Sequence, residues 1–383
     1  MEKETQNKNT LTKTDNNICP SNDDTVLLGM SGGVDSSAAA ILLKEAGYNV
    51  YGITIRTWDS VTESCISKEK GCCTIDSIME AKNLASKLGI QHQIIDARED
   101  FKKIVVADFI HEYMNGRTPN PCVLCNPEIK WKILKKKADE LGCRYIATGH
   151  YANVSFSDNR YYISKGTDDA KDQSYFLWKL SQNDLTRTIF PLGKTIKAAS
   201  REKIKNFGFE KLSKKKESQE ICFIPDDDYR VFLEKEIPDF TDKIKPGDVI
   251  DTSGKILGKH KGYPFYTVGQ RKGLEIAVGY PLFVSEIIPE TNTVVLAKKE
   301  ELFRKELILS DCVFQKYPEI YDGMKAVVKI RFRNPGHNAE IHIFENKIKI
   351  IFDEPVAAIT PGQSAVIYDG DDIIAGGIIE KSI

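Results

Sequence analysis

The sequence predicts an α/β protein: a doubly wound parallel sheet, then a small β-rich central domain and a C-terminal β-barrel. Three observations carry this. In the first half, short apolar runs alternate with helix-forming stretches, the pattern of strands covered on both faces and joined by crossover helices. After about Asp228 the alternation stops, and short β-rich runs punctuated by Gly and Pro take over. The 383 residues also exceed what one hydrophobic core sustains, so two or three domains are expected.

Residues 1–24 are polar with little to bury and are expected to form a disordered tail. The first domain is assigned to 25–228. "TVLLGM" (Thr25 to Met30) reads as a buried strand, and "VDSSAAAILLKEAG" as a helix closed by Gly47. "NVYGITI" and "HQIID" are strands, separated by the helix "TIDSIMEAKNLASKLG" with Thr74 as N-cap. "IVVADFIHEYMNG" is helical, and "PEIKWKILKKKADELG" places Ile129, Ile133, Leu134, Ala138 and Leu141 on one helical face before the strand "YIATGH". The central domain is assigned to 229–289. The barrel is assigned to 290–383, starting at the strand "TVVLAK" and continuing through "KAVVKIRF", "AEIHIF", "KIKIIF", "SAVIYDG" and "IIAGGII". In "VKIRFR" the two-residue period puts Lys329, Arg331 and Arg333 on one strand face.

Composition excludes several classes. Apolar residues at 41% and charged residues at 28% are ordinary for a soluble globular chain, no apolar run is long enough to span a membrane, and the N-terminus lacks a signal-peptide core. A cytoplasmic protein is expected. Nine cysteines are too few for a disulfide scaffold of this size and point to metal or redox chemistry where they cluster. A net charge of −1 argues against wholesale coating of nucleic acid. Local basic surfaces remain: nine Lys or Arg against two Glu between Lys194 and Lys216, and the run "KWKILKKK" from Lys130. Each suits either phosphate contacts or a solvated helix face.

The loop "GMSGGVDSS" follows the first strand and opens the first helix. Two glycines let backbone amides approach an anion, and the helix N-terminus favours negative charge. A Walker loop would carry a lysine here, and this one does not. SGGVDS resembles instead the PP-loop of ATP pyrophosphatases, which cleave between the α- and β-phosphates and activate an oxygen as an adenylate. Gly29 and Met30 at the end of the first strand, Ile55 at the end of the second, and Gly149 with His150 in "ATGHY" share the rim where such sheets bind ligands. His150 is equally well read as a hydrogen-bonded core histidine.

Cys122 and Cys125 form a C-x-x-C in "NGRTPNPCVLCNPEIKW", a proline-rich segment expected not to be helical. On the residues alone it is half of a structural zinc site, a redox pair, an iron–sulfur ligand set or a nucleophile with its neighbour. Cys222 lies in "SQEICFIPDDDY", whose "EICFI" reads as a short strand, and would be a nucleophile once deprotonated. Cys19, Cys65, Cys143 and Cys312 read as small buried hydrophobes. The adjacent Cys72 and Cys73 show no second half-site.

Together "GMSGGVDSS", "NGRTPNPCVLCNPEIKW", "IATGHYA", "KDQSYFLW", "FPLGKTIK", "SQEICFI", "YTVGQRKGL" and "PGQSAVIY", in this order, resemble the bacterial tRNA-specific 2-thiouridylase family from about Thr25 onward. The resemblance implies an adenine nucleotide α-hydrolase-like first domain and replacement of the wobble uridine's C2 oxygen by sulfur. It further implies ATP at Gly29, Met30, Ser31, Gly32, Gly33, Val34, Asp35, Ser36, Ile55 and Gly149, with Mg²⁺ accompanying the nucleotide. Cys222 would carry a persulfide from a sulfur-relay protein, and Cys125 would be the second essential cysteine. Asn120, Pro121 and Cys122 would approach the target base. Lys171, Asp172, Gln173, Arg331 and Phe332 would contact tRNA, with His150 and Gln363 near the same interaction. A monomer is expected. Some members carry aspartate where this chain has Cys122; three cysteines, at 122, 125 and 222, would suit a [4Fe-4S] cluster as an alternative sulfur route. Two other classes fit parts of the sequence. A PP-loop synthetase delivering ammonia to an adenylated small molecule has no use for the cysteines, and a non-catalytic RNA-binding protein leaves the loop unexplained.

Overall fold

The computed structural model describes residues 24–59, 75–215, 221–224, 228–345 and 347–383. Cys19, Cys65, Cys72, Cys73 and the Thr74 cap lie outside the described residues, as does the predicted tail except Asp24. That residue belongs to the folded domain: it is buried, its carbonyl accepts from Asn49 N at 3.1 Å and its carboxylate pairs with Arg144 at 2.9 Å.

Five strands form the parallel sheet: β1 (Thr25–Gly29), β2 (Asn49–Arg56), β3 (Gln91–Asp96), β4 (Tyr145–Ala147) and, after the hairpin β5 (Ala152–Ser157) and β6 (Arg160–Lys165), β7 (Thr188–Ile189). The order β3-β2-β1-β4-β7 reverses direction between β1 and β4, which opens a ligand crevice at the carboxyl end of β1. Val26, Leu27 and Leu28 are fully buried because helices cover both faces. The first helix, α1 (Val34–Glu45), ends at Ala46, and Gly47 follows at φ +87°, a backbone state that glycine enters without a Cβ penalty.

The expectation of a non-helical C-x-x-C segment is corrected. Pro121–Cys125 is α-helical, Asn126–Trp131 continues as a π-turn and Lys132–Glu140 resumes the α-helix. Pro121 opens the segment, where a missing N–H costs little, and Pro127 falls where the α-helix gives way to the π-turn. "EICFI" is also not a strand in its described part: Ile221–Ile224 is a turn closed by Ile224 N to Ile221 O at 3.0 Å.

A helix the alternation argument did not foresee, Tyr229–Glu236, leads into the central sheet of β8 (Gly247–Asp251), β9 (Ile256–His260), β10 (Phe283–Ile288) and β11 (Thr293–Ala297), in the order β10-β11-β8-β9. The "TVVLA" run, expected to start the barrel, is β11 and pairs in parallel with β8. The barrel is a closed ring of β12 (Phe303–Phe314), β13 (Met324–Lys329), β14 (His337–Phe344), β15 (Lys347–Ala357), β16 (Ser364–Asp369) and β17 (Asp372–Ser382), sealed by pairing of β12 with β17. Arg331 and Arg333 fall in the bend after β13 and do not continue its alternation.

The β5–β6 hairpin of the first domain adds to this ring. Asp372 of β17 pairs with Ser164 of β6. Gln315, fully buried, donates its amide toward the carbonyls of Leu177, Trp178 and Leu180 at 2.9–3.3 Å and accepts from Ile163 N at 3.0 Å. The buried Gln315 carboxamide is thus fully paired across the junction.

Candidate active site

The loop after β1 is shaped for an anion. Gly33 is the N-cap of α1 and no side chain caps the first turn, so its backbone amides remain directed toward the crevice. Gly32 sits at φ +69°, and a Cβ there would lie 1.8 Å from the Ser77 carbonyl oxygen at the start of α2 (Ile75–Lys87). Gly149, just past β4, has its α-carbon against the same loop: a Cβ would lie 2.7 Å from backbone atoms of Asp35 and Ser36. Met30 is locked to β2, its N–H donating to Ile53 O at 2.7 Å and its carbonyl accepting from Thr54 Oγ1 at 2.6 Å. The predicted nucleotide residues Gly29 to Ser36 and Gly149 therefore meet around one crevice. Ile55, at the end of β2, packs between two core clusters at the same rim.

Part of the basic region from Lys194 is turned inward, while Lys194, Lys205, Lys211 and Lys214 are exposed. Lys197, 7% exposed, pairs with Asp35 at 2.7 Å, and the Tyr151 hydroxyl donates to the same carboxylate oxygen at 2.9 Å. Lys215 reaches Gly32 O at 3.2 Å, Ser77 Oγ at 2.9 Å and Glu80 at 2.6 Å. Lys203 pairs with Glu45, Lys214 with Glu210, and Arg201 donates to Ser213 O. Lys197, Lys203 and Lys215 thus buttress α1 and the nucleotide loop. Neither of the two sequence readings, phosphate contact or solvated face, describes them.

Cys125 is buried, and Cys222 packs on the same hydrophobic cluster, with Ile129, Phe223 and Ile224 among its members. Trp58, two residues past the end of β2, lies over Phe223 with ring centroids 6.0 Å apart, which places the Cys222 turn on the carboxyl side of the parallel sheet. Cys122, three residues before Cys125, reaches the surface; loss of hydration among its neighbours pushes its thiol up, opposed by Lys130. Desolvation, reinforced by Lys130, brings His150 down to about 3, so it is neutral at physiological pH. Its Nδ1 lies 2.7 Å from Thr148 Oγ1, and its ring sits between Trp131 and Phe190. Among the described residues no group of three His, Cys, Asp or Glu side chains is arranged to hold a metal ion. Cys122, Cys125 and Cys222 are not arranged as a cluster-ligand set among the described residues.

Several residues predicted to meet tRNA are engaged within the fold. Asp172, buried, accepts from Gly166 N, Ser174 N and Ser174 Oγ at 2.8–3.1 Å. Gln173 accepts from Tyr151 N and donates its own N–H to Tyr151 O. Gln363 donates to the carbonyls of Thr118 and Pro119, and the Asn120 side chain bonds the Tyr175 hydroxyl. Phe332 stacks on Phe176 at 4.5 Å, which brings the bend after β13, Arg331 included, beside the residues that follow Gln173. Lys171 donates its backbone N–H to Asp168 O. The sequence does not single out Gln315, and it offers Lys197 and Lys215 only as members of the basic run, Lys197 also within "FPLGKTIK".

An open parallel sheet with this lysine-free glycine loop at its switch point defines a nucleotide-binding protein of the PP-loop ATP pyrophosphatase class. Family models match in series: the tRNA methyl transferase HUP domain over 24–226, its PRC-barrel domain over 231–298 and an aminomethyltransferase β-barrel domain over 304–379. A tRNA-specific 2-thiouridylase MnmA of Cytophaga hutchinsonii is 48% identical over 93% of this chain and 97% of its own. That of Clostridioides difficile is 45% identical over 94% and 98%. The chain belongs to the tRNA-specific 2-thiouridylase family. A 4-thiouridine synthetase in complex with RNA and ATP aligns over 57% of this chain and 52% of its own, at 16% identity and a TM-score of 0.34. No helix among the described residues is long and apolar enough to cross a membrane.

Proposed function

We propose that this protein is an ATP-dependent tRNA-uridine 2-sulfurtransferase that converts the wobble uridine to 2-thiouridine, with AMP and pyrophosphate as co-products. The observation that carries the reading is the placement of Cys125 and Cys222 on one hydrophobic cluster at the carboxyl side of the sheet that also holds the nucleotide loop.

The chemistry needs both parts. A uridine C2 carbonyl is a poor electrophile because its oxygen cannot leave at neutral pH. Attack of that oxygen on the α-phosphorus of ATP forms an adenylate and expels pyrophosphate; the uncapped N-terminus of α1 would receive the pyrophosphate charge. Mg²⁺ would arrive with the triphosphate, held mainly by phosphate oxygens. The terminal sulfur of a Cys222 persulfide then attacks C2 and AMP leaves. The Cys125 thiolate attacks Cys222 Sγ, breaking the S–S bond; the transferred sulfur stays on C2 and a Cys125–Cys222 disulfide remains. An external dithiol resets the pair. A separate persulfide-bearing protein supplies the sulfur, and the enzyme works as a cytoplasmic monomer. The apolar surroundings of Cys125 serve this route by excluding water, which would otherwise hydrolyse the adenylate.

The test is nucleoside mass spectrometry of unmodified tRNA incubated with enzyme, ATP, Mg²⁺ and a persulfide donor. 2-Thiouridine should form with the wild type and vanish in Cys125→Ala and in Cys222→Ala. Thiolation that persists in both variants would refute the sulfur assignment, whereas pyrophosphate release independent of tRNA would refute the substrate.

A further inference from the structure

We propose that Lys130 is a specificity-determining residue, which donates to O4 of the target uracil and thereby rejects cytosine. The inference rests on the uridine thiolation proposed above and deepens it by naming the group that reads the base. Cys122, Asn126 and Lys130 are spaced four residues apart on the helical run from Pro121 to Glu140 and so fall along one side of it. Cys125 and Ile129 fall along another side and belong to the hydrophobic cluster on which Cys222 packs. The half-buried Lys130 ammonium donates to Asn126 Oδ1 at 3.0 Å. Asn126, 1% exposed, is fixed in turn by donating its Nδ2 to Phe176 O at 2.8 Å. The cation is therefore held at a set place beside the C-x-x-C.

Two neighbours locate it. Loss of hydration pushes the Cys122 thiol up and the Lys130 charge opposes this, while desolvation pulls His150 down and the same charge adds to the fall. His150 directly follows Gly149, whose α-carbon abuts Asp35 and Ser36 of the nucleotide loop, and its ring lies 5.8 Å from that of Trp131, the residue after Lys130. Lys130 thus stands where the nucleotide end of the site meets the cysteine end. The base must lie there too, because its O2 has to reach the α-phosphorus of ATP and its C2 has to reach the persulfide sulfur. Uracil presents O2, N3–H and O4 along one edge. With O2 committed to phosphorus, O4 is the remaining acceptor, whereas cytosine carries an amino donor at that position. An ammonium has donors only, so it bonds the first and is repelled by the second. His150, being neutral, contributes no competing cation.

The test crosses two substrates with two enzymes, read by nucleoside mass spectrometry with ATP, Mg²⁺ and a persulfide donor present. One tRNA carries uridine at the wobble position; the other carries the 2-pyrimidinone riboside, which keeps the C2 oxygen and has hydrogen in place of O4. Loss of O4 should lower kcat/KM of the wild type about tenfold to a hundredfold more than it lowers that of Lys130→Met, the range expected of one hydrogen bond from a charged donor. Taking the ratio of the two ratios cancels the different intrinsic reactivity of the analogue. Lys130→Met should itself be slower on uridine by a similar factor, with its Kd for ATP within about twofold of wild type. A lysine that only braces Asn126 slows both substrates alike, so equal ratios in the two enzymes would overturn the proposal. A tenfold weaker ATP affinity in Lys130→Met would also overturn it, by making Lys130 a phosphate contact. If Lys130→Met does not fold, Lys130→Gln decides: a neutral amide makes the weaker bond, so the penalty for the missing O4 should shrink, and an unchanged penalty overturns the proposal. A wild type that forms no thionucleoside on the natural base would refute the thiolation reading itself and this inference with it, an outcome distinct from equal ratios in two active enzymes.

Discussion

Asp172 gives the sharpest separation between a residue that holds the fold and one that holds RNA. Its carboxylate, 6% exposed, accepts three hydrogen bonds: Gly166 N at 3.1 Å, Ser174 N at 3.1 Å and Ser174 Oγ at 2.8 Å. The Ser174 hydroxyl also lies 3.0 Å from the buried Tyr368 hydroxyl of the barrel, so the cluster spans a domain boundary. Asp172→Ala leaves these donors facing a cavity. Hydrogen bonds to a charged acceptor are worth roughly 1.5–3 kcal/mol each, and neighbouring ones do not add fully, so a loss of about 3–4 kcal/mol is expected. Urea unfolding followed by fluorescence of Trp178, which is fully buried nearby in sequence, measures it. A carboxylate repels phosphate, so its removal should not weaken tRNA binding at a given fraction folded. Stability within about 0.5 kcal/mol of wild type, together with a tenfold weaker tRNA affinity, would refute the structural reading.

Two further outcomes are expected. Gly149→Ala drives a Cβ into the backbone of Asp35 and Ser36, so calorimetric ATP affinity should fall by about tenfold or more with tRNA affinity little changed; unaltered ATP binding would dissociate the end of β4 from the nucleotide loop. His150 is held neutral down to about pH 3 while the unfolded chain binds a proton near 6.5, so wild-type stability should decline as pH falls through that window. The decline should be shallower in His150→Asn, and parallel pH profiles of the two proteins would show that the fold does not hold His150 neutral.

The sequence reading succeeded where the signal is local. "TVLLGM" followed by a lysine-free glycine loop and an alanine-rich run specifies strand, turn and helix within twenty residues, and the structure contains them as β1, Gly32–Gly33 and α1. It failed where a residue's role depends on a partner far away in sequence. Lysines from 194 to 216 look alike in a string, and only the fold reveals that Lys197 and Lys215 have Asp35 and Glu80 beside them. In "KWKILKKK" the same holds for Lys135, whose partner is Asp184. Proline misled in the opposite direction: Pro121 suggested an irregular loop, yet it opens a helix. The run "TVVLA" has a strand's composition wherever it lies, and composition does not say which sheet it joins.

The junction of Ser164 with Asp372 also sets the order in which the molecule can be assembled. Its hydroxyl–carboxylate bond, 2.7 Å long, spans 208 positions, and the ring cannot close until β17 reaches β12. During synthesis the nucleotide loop and parallel sheet can form early, while the edge of β6 and the polar end of Gln363's loop must wait for the last strand. Contacts of such sequence separation are slow to form and leave an unpaired edge exposed in the meantime. A nascent chain halted before Asp372 should therefore bind nucleotide while the segment that leads into its C-x-x-C helix still lacks its completed barrel support.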